Sequence, residues 1–292
     1  MMNISSINNF NYDLKKVINE KWEEKKIFYS FELIECQDKI VHQTFFTDLQ
    51  EYSPLFYALT WRKNLNINNF NDNLLQMPKN TLLHVTARGK TKSDVKKVLN
   101  KALELGICNI FALRGDNECT TGDFLYAVDL VKFIKKNYND KFSIAVAGYP
   151  DRHPESVSKE SEFFYLKEKV DAGADFIITQ IIFDSKAFIN FIKDCRENGI
   201  AVPILAGVMP IINYSSLMKT INVCGLKIPE IVHKKLEKIK QDDLSVHQYG
   251  VKLIIEIITD IIDHGFYGFH FFTFNNSKTV LEILNYYLNK QS

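Results

Sequence analysis

An α/β protein is what this sequence predicts, with eight parallel strands closed into a barrel, on three observations. Short β-branched or aromatic runs alternate along the chain with longer segments of helical spacing. The runs are apolar throughout and bounded by turn residues, which is how strands covered on both faces read. Eight such strand–helix units fall within about 250 residues, the count and length of a (β/α)8 TIM barrel. The competing arrangement, a doubly wound open sheet, would carry a glycine-rich phosphate turn after its first strand. The stretch "SFELIECQD" at 30–38 has no glycine there.

The elements follow in order within one domain, residues 1–292. Residues 1–26 form an N-terminal helical extension and 27–289 the barrel. The first four strands are "IFYSFEL" (27–33), "PLFYALT" (54–60), "LLHVTA" (82–87) and "NIFALRG" (109–115). The later four are "FSIAVAGY" (142–149), "DFIITQ" (175–180), "PILAGVM" (203–209) and "GFHFFTF" (268–274). Between them, "TKSDVKKVLNKALELG" puts Val95, Val98, Leu99, Ala102 and Leu103 on one helix face. Thr91 with Asp94 approximates a capping box, and Gly106 stands where a helix end wants a left-handed residue. Pro154 suits a first helical position, Gly173 a stop, and Ser277 the N-cap of the last helix. The piece from about 213 to 266 holds more than one helix, an extra helical insertion before the last strand.

Composition narrows the function classes. The 292 residues carry 36 basic and 35 acidic side chains, a balance with no electrostatic pull towards nucleic acid. Cys36, Cys108, Cys119, Cys195 and Cys224 form no CxxC or CxxH pair, so neither a disulfide framework nor a zinc site is expected, and no metal. The start "MMNISSINNFNYDLKK" lacks the layout of a secretory signal. The most apolar helix, "VKLIIEIITDIIDHGF", is interrupted by Lys252, Glu256, Asp260 and Asp263, so no span of a bilayer is expected. A cytoplasmic protein fits these features.

In such barrels the chemistry sits at the C-terminal strand ends. Those ends hold Glu32, Thr60, His84 and Thr86, then Arg114-Gly115-Asp116, Tyr149 leading to His153, Gln180 and Thr273. Glu32 interrupts an apolar run on the same face as Phe28 and Ser30. Among aromatics a carboxyl is desolvated, which raises its pKa and suits it to donate a proton. Alternatively it lies just past the strand and faces water. His84 could equally be a core histidine and Gln180 a barrel-layer hydrogen bonder. Arg114 could pair with Asp116, and His153-Pro154-Glu155 could be a helix start. Their joint placement at one rim favours a site.

Several motifs in order resemble the methylenetetrahydrofolate reductase family. They are "YSFE", "LT" plus an aromatic at 59–61, "LLHVTA", "ALRGD", "YAVDLV" (126–131) and "AGYPDRHPES" (147–156), then "KVDAGADFIITQIIFD" (169–184), "GVMP" (207–210) and "GFHFFTFN" (268–275). The resemblance runs from about residue 27 to 289. It implies a (β/α)8 barrel carrying FAD, which reduces 5,10-methylenetetrahydrofolate to 5-methyltetrahydrofolate by ping-pong hydride transfer from NADH or NADPH. On it, Glu32 is the general acid, and Asp116 stabilises the cationic iminium beside flavin and folate. Arg114, Gly115, His84, Ala127, Tyr149, His153 and Lys169 would contact FAD, with Thr60 and Trp61 on the flavin side. Thr60 and Gln180 match positions that meet folate or nicotinamide, and Tyr214 stands where a phenylalanine often stacks on ligand.

The chain departs from the family pattern in "SFELIEC", in "TWRKN" after strand two, at Glu162, Tyr165 and Glu168, and at Asn276, where an arginine is expected. A homo-oligomer is expected. The alternatives are a related flavoenzyme fed by an electron-donor protein and a flavin-less scaffold subunit.

Overall fold

Eight apolar runs form eight strands. They are β1 (Phe28–Ile34), β2 (Phe56–Thr60), β3 (Thr81–Thr86), β4 (Asn109–Leu113), β5 (Ser143–Gly148), β6 (Phe176–Ile181), β7 (Ile204–Val208) and β8 (Gly268–Phe272). All pair in parallel in chain order, and β8 pairs with β1, so the sheet closes into a barrel. The computed structural model of the chain describes residues 12–35, 39–60, 77–115 and 121–291. Trp61 and Asp116 lie outside the described residues.

The helices include α1 (Leu14–Glu23), α2 (Lys39–Leu49), α3 (Lys92–Glu104), α4 (Ala127–Tyr138), α5 (Lys159–Asp171) and α6 (Ser185–Glu197). The extra insertion before β8 supplies α7 (Tyr214–Cys224), α8 (Glu230–Ile239) and α9 (Asp243–Asp263), and α10 (Ser277–Gln291) follows β8. Among the described residues no helix is long and apolar enough to cross a membrane.

Local chemistry explains most boundaries. The Thr91 hydroxyl accepts from Asp94 N while Asp94 reaches back to Thr91 N, the reciprocal box that starts α3. Gly106 and Gly173 take φ of 77° and 113° as their helices end, values an L side chain resists. Two expected caps fall elsewhere. Pro154 is not a first helical residue: residues 149–156 make their own turns, through Arg152 N to Tyr149 O and Ser156 N to His153 O. Helix α5 starts later, where Ser158 and Ser161 form a box. At the last helix Asn276, not Ser277, takes the capping role, its Oδ1 accepting from Thr279 N at 3.2 Å. The Ser277 hydroxyl instead donates to Asp48 on α2.

Inward positions alternate along each strand. Phe28, Phe56, Ala58, Leu82, Phe111, Ala145, Phe176, Ile178 and Leu205 fill the interior, while Phe31, Leu33, Leu83 and Val85 belong to the layer under the helices. The N-terminal end is plugged by α1, whose fully buried Leu14 and Ile18 join the interior cluster.

Polar groups hold the plug in place. Asn109, fully buried at the start of β4, accepts from Leu14 N at 3.0 Å and donates to Tyr12 O at 2.9 Å. Ser143, at the start of β5, accepts from Lys15 N at 3.0 Å. Two free N–H groups of the helix start are thereby satisfied by two strands, and Asp13 accepts from a third, Lys16 N. Asn109→Ala leaves several of these groups unpaired in the interior. It is expected to lower unfolding free energy by about 2–4 kcal/mol in urea titrations and to expose α1 to protease; an unchanged midpoint would make the plug dispensable.

Candidate active site

The opposite, C-terminal end of the barrel is polar. Glu32 stands there at the tip of β1 with 8% of its surface exposed, so it faces the mouth's interior and not bulk water. The Thr60 hydroxyl, from the tip of β2, donates to Glu32 Oε1. The same hydroxyl lies 3.1 Å from His84 Nδ1 on β3. With its hydrogen given to the carboxylate, Thr60 can only accept from the ring, so His84 carries its proton on Nδ1. Burial drives the His84 pKa down to about 3, so the ring is neutral. It stands edge-on to Phe111 at 4.9 Å. Its Nε2 is buried and, among the described residues, has no hydrogen-bond partner.

A second chain lies on the β8 side. Ser30, two residues before Glu32, places its hydroxyl 2.8 Å from Nδ1 of fully buried His270. His270 stacks on Phe56 at 6.0 Å, and burial with the neighbouring His84 holds it at about 3 as well. Its Nε2 likewise has no partner among the described residues. Reading strand tips one by one passes over this pair. The signal was period two: Ser30 and His270 are each one inward step below a residue at the rim, and the strands that carry them are neighbours.

Further round the rim the groups are cationic. Arg114 pairs through both terminal nitrogens with Glu155, which lowers the Glu155 pKa. His153 Nδ1 accepts from Glu155 N at 3.1 Å, and its ring stands edge-on to Tyr149 at 4.7 Å. Burial, then the Arg114 charge, lowers the His153 pKa. Lys169, from α5, donates to Ala147 O at 2.7 Å, and burial brings its ammonium down to about 8. Gly115 takes φ 87°, and a Cβ there would sit 3.1 Å from Thr86 Cβ, so only glycine lets the β4 tip lie this close to β3.

Ala127 opens α4, where the Asp129 carboxylate accepts from Leu125 N and Tyr126 N. The register of β6 against β7 slips between Ile178 and Ile181, and Thr179 Oγ1 accepts from Gly207 N there. Gln180 sits within this irregularity, its Oε1 accepting from Ile181 N at 2.9 Å. Tyr214 opens α7, and its hydroxyl donates to Glu237 on α8. The structure thus gathers Glu32, Thr60 and His84 into one hydrogen-bonded chain, and Arg114, Tyr149 and His153 into one cluster through Glu155. Tyr214 is tied to the insertion helices instead.

These residues suit an anionic, ring-bearing group such as FAD. Gly115 keeps the β4 tip close against β3, Arg114, His153 and Lys169 offer donors to phosphate, and the His84 Nε2 acceptor is unused among the described residues. A groove of about 590 Å³ opens at the opposite end of the barrel, lined by Trp22, Arg196, Phe266 and Tyr267 among others. It has no comparable carboxyl–hydroxyl–imidazole chain.

Both buried imidazoles are neutral when folded and would titrate near 6.5, the ordinary value of an imidazole, when exposed. Their contribution is therefore complete above about pH 6.5 and is lost as pH falls towards about 3. Each histidine adds up to about 1.4 kcal/mol per pH unit to that slope. His270→Gln is expected to flatten the dependence by about this amount in urea titrations near pH 5. An unchanged slope would place the acid sensitivity elsewhere.

Comparison with known proteins agrees with the geometry. The family model described as methylenetetrahydrofolate reductase matches residues 17–287. A 5,10-methylenetetrahydrofolate reductase of Buchnera aphidicola is 30% identical over 278 residues, covering 91% of this chain and 94% of its own. A methylenetetrahydrofolate reductase (NADH) of Arabidopsis thaliana is 35% identical over 257 residues, 81% of this chain. A probable methylenetetrahydrofolate reductase (NADPH) of Caenorhabditis elegans is 39% identical over 209 residues, 70% of this chain. The matches span only 43% and 32% of those two eukaryotic relatives. Among solved structures, a Clostridium thermocellum protein that binds two copies of 5-methyl-5,6,7,8-tetrahydrofolic acid superposes with a TM-score of 0.67 at 13% identity. That superposition covers 93% of this chain and 99% of the other, a likeness of fold.

Proposed function

We propose a function from one premise: this chain belongs to the methylenetetrahydrofolate reductase family. It reduces 5,10-methylenetetrahydrofolate to 5-methyltetrahydrofolate by a ping-pong reaction, with FAD as cofactor and NADH or NADPH as donor. The observation that carries this reading is Glu32, buried in the barrel mouth with a threonine hydroxyl donating to its carboxylate and a neutral imidazole behind.

Bound FAD would supply the hydride chemistry, taking two electrons from the nicotinamide and passing them to the folate. The protein's own groups supply position, protons and field. Glu32, protonated on substrate binding, donates to the ring nitrogen that leaves when the five-membered ring of the folate opens. Thr60 holds the carboxyl in one rotamer, so the proton is delivered from a fixed place. His84, neutral, adds no positive charge that would keep Glu32 ionised. Asp116, next in sequence after Arg114 and Gly115, stabilises the cationic iminium so formed. Arg114, Gly115, Ala127, Tyr149, His153 and Lys169, with His84, Thr60 and Trp61, would hold FAD, and Gln180 would meet folate or nicotinamide.

The first test is the visible spectrum under anaerobic conditions. A flavin band should bleach with NADH or NADPH and return when 5,10-methylenetetrahydrofolate is added. Protein that cannot be loaded with FAD would refute the reading. In Glu32→Gln, flavin reduction by nicotinamide should survive while the folate half-reaction falls by about 10²–10⁴-fold. Equal loss of both would make Glu32 structural. Asp116→Asn should slow the folate half-reaction by about 10²-fold, and unchanged folate kinetics would remove it from the mechanism.

A further inference from the structure

The β8 exit, Thr273 to Asn276, does something that substrate contact does not explain. The β1–β8 ladder ends at the pair Glu32–Phe272, yet β1 runs on to Ile34. Beyond Phe272 the main chain of β8 turns away, and two side chains take over the pairing. The Thr273 hydroxyl donates to Glu32 O at 2.5 Å. Asn275 grips Ile34 from both sides, accepting from its N–H at 2.9 Å and donating to its carbonyl at 2.8 Å. The amide of one side chain thus does for Ile34 what a strand neighbour would.

The turn that presents these groups is strained. Asn276 N bonds to Thr273 O, and the two residues between, Phe274 and Asn275, have φ of 49° and 61°. Asparagine tolerates that region, but a phenylalanine rarely enters it. Thr273 is 1% exposed, and Asn275 N bonds back to Thr273 Oγ1 at 3.1 Å, so the turn is braced internally. Strain held in place beside a reactive group is a sign of positioning.

We infer that Thr273 and Asn275 are positioning residues for Glu32. They clamp its carbonyl and the residue two beyond it, so that β1 cannot twist and the carboxyl stays within reach of Thr60. This rests on the reading of Glu32 as the acid of the folate half-reaction. Both act on the main chain of β1, through Glu32 O and the Ile34 peptide groups.

The test separates the two half-reactions and adds a readout that needs no flavin. In Asn275→Ala the folate half-reaction should fall by about 10²-fold, with flavin reduction by NADH or NADPH held within about twofold. The Glu32 carboxyl, followed by carbon-13 NMR of glutamate-labelled protein and assigned by its loss in Glu32→Gln, should titrate at a shifted pH in the variant. Thr273→Val should act in the same direction and Thr273→Ser should restore the parent behaviour. If Asn275→Ala does not fold, this threonine pair decides the matter. An unmoved titration, or equal losses in both half-reactions, would overturn the inference and leave the turn as barrel closure alone. Should Glu32→Gln itself keep the parent folate rate, the reading of Glu32 fails instead, and with it the purpose of the clamp.

Discussion

The pairing of β8 with β1 is the constraint on which the rest of the molecule depends. An open parallel sheet would leave β1 with one bare edge and Glu32 in water. Closure places that edge against Gly268–Phe272 and turns Phe28, Ser30 and Glu32 into a filled interior. The carboxyl then has no bulk solvent to lean on. Thr60, from the neighbouring strand tip, supplies a hydroxyl to it, while on the other side Thr273 holds the main-chain carbonyl of Glu32.

The interior divides by chemistry along its axis. At the N-terminal end the polar groups serve structure: Asn109 and Ser143 complete the first turn of α1, and Asp175 takes Lys15 at 2.9 Å and Ile144 N at 2.8 Å. At the other end, imidazoles are kept uncharged by burial, the Thr60 hydroxyl stands between one of them and a carboxyl, and cations collect at the periphery. Between the two lies a layer of phenylalanines and small aliphatic residues that keeps water from joining them. Such a separation lets one end be optimised for rigidity while the other holds groups whose protonation states are set by their surroundings.

Much of this was legible before any coordinates. Short apolar strands repeated eight times, with no glycine-rich turn after the first, point to the barrel over an open sheet, and Glu32 stood out as a charge inside such a strand. What stayed hidden was non-local. Ser30 and His270 are 240 residues apart, and only ring closure makes them neighbours. The Arg114–Glu155 pair joins the exits of β4 and β5 across 41 residues of sequence. Helix starts failed where several capping residues stand together: Asn275, Asn276 and Ser277 are all competent, and only packing against β1 and α2 decides which does what. The family resemblance expects an arginine at 276, and the asparagine found there ends its side chain at the backbone of its own helix.

The order in which the chain leaves the ribosome gives the closure a further meaning. The partner of β1 on one side is complete only at Phe272, some 240 residues after β1 itself. Every shorter nascent chain therefore carries one bare edge on the strand bearing Phe28, Phe31 and Leu33. The loop that must close runs from β1 to β8, so closing it waits until β8 has been made. The step that completes the polar mouth is thus a late one, and a half-made barrel has a bare strand edge and no closed mouth.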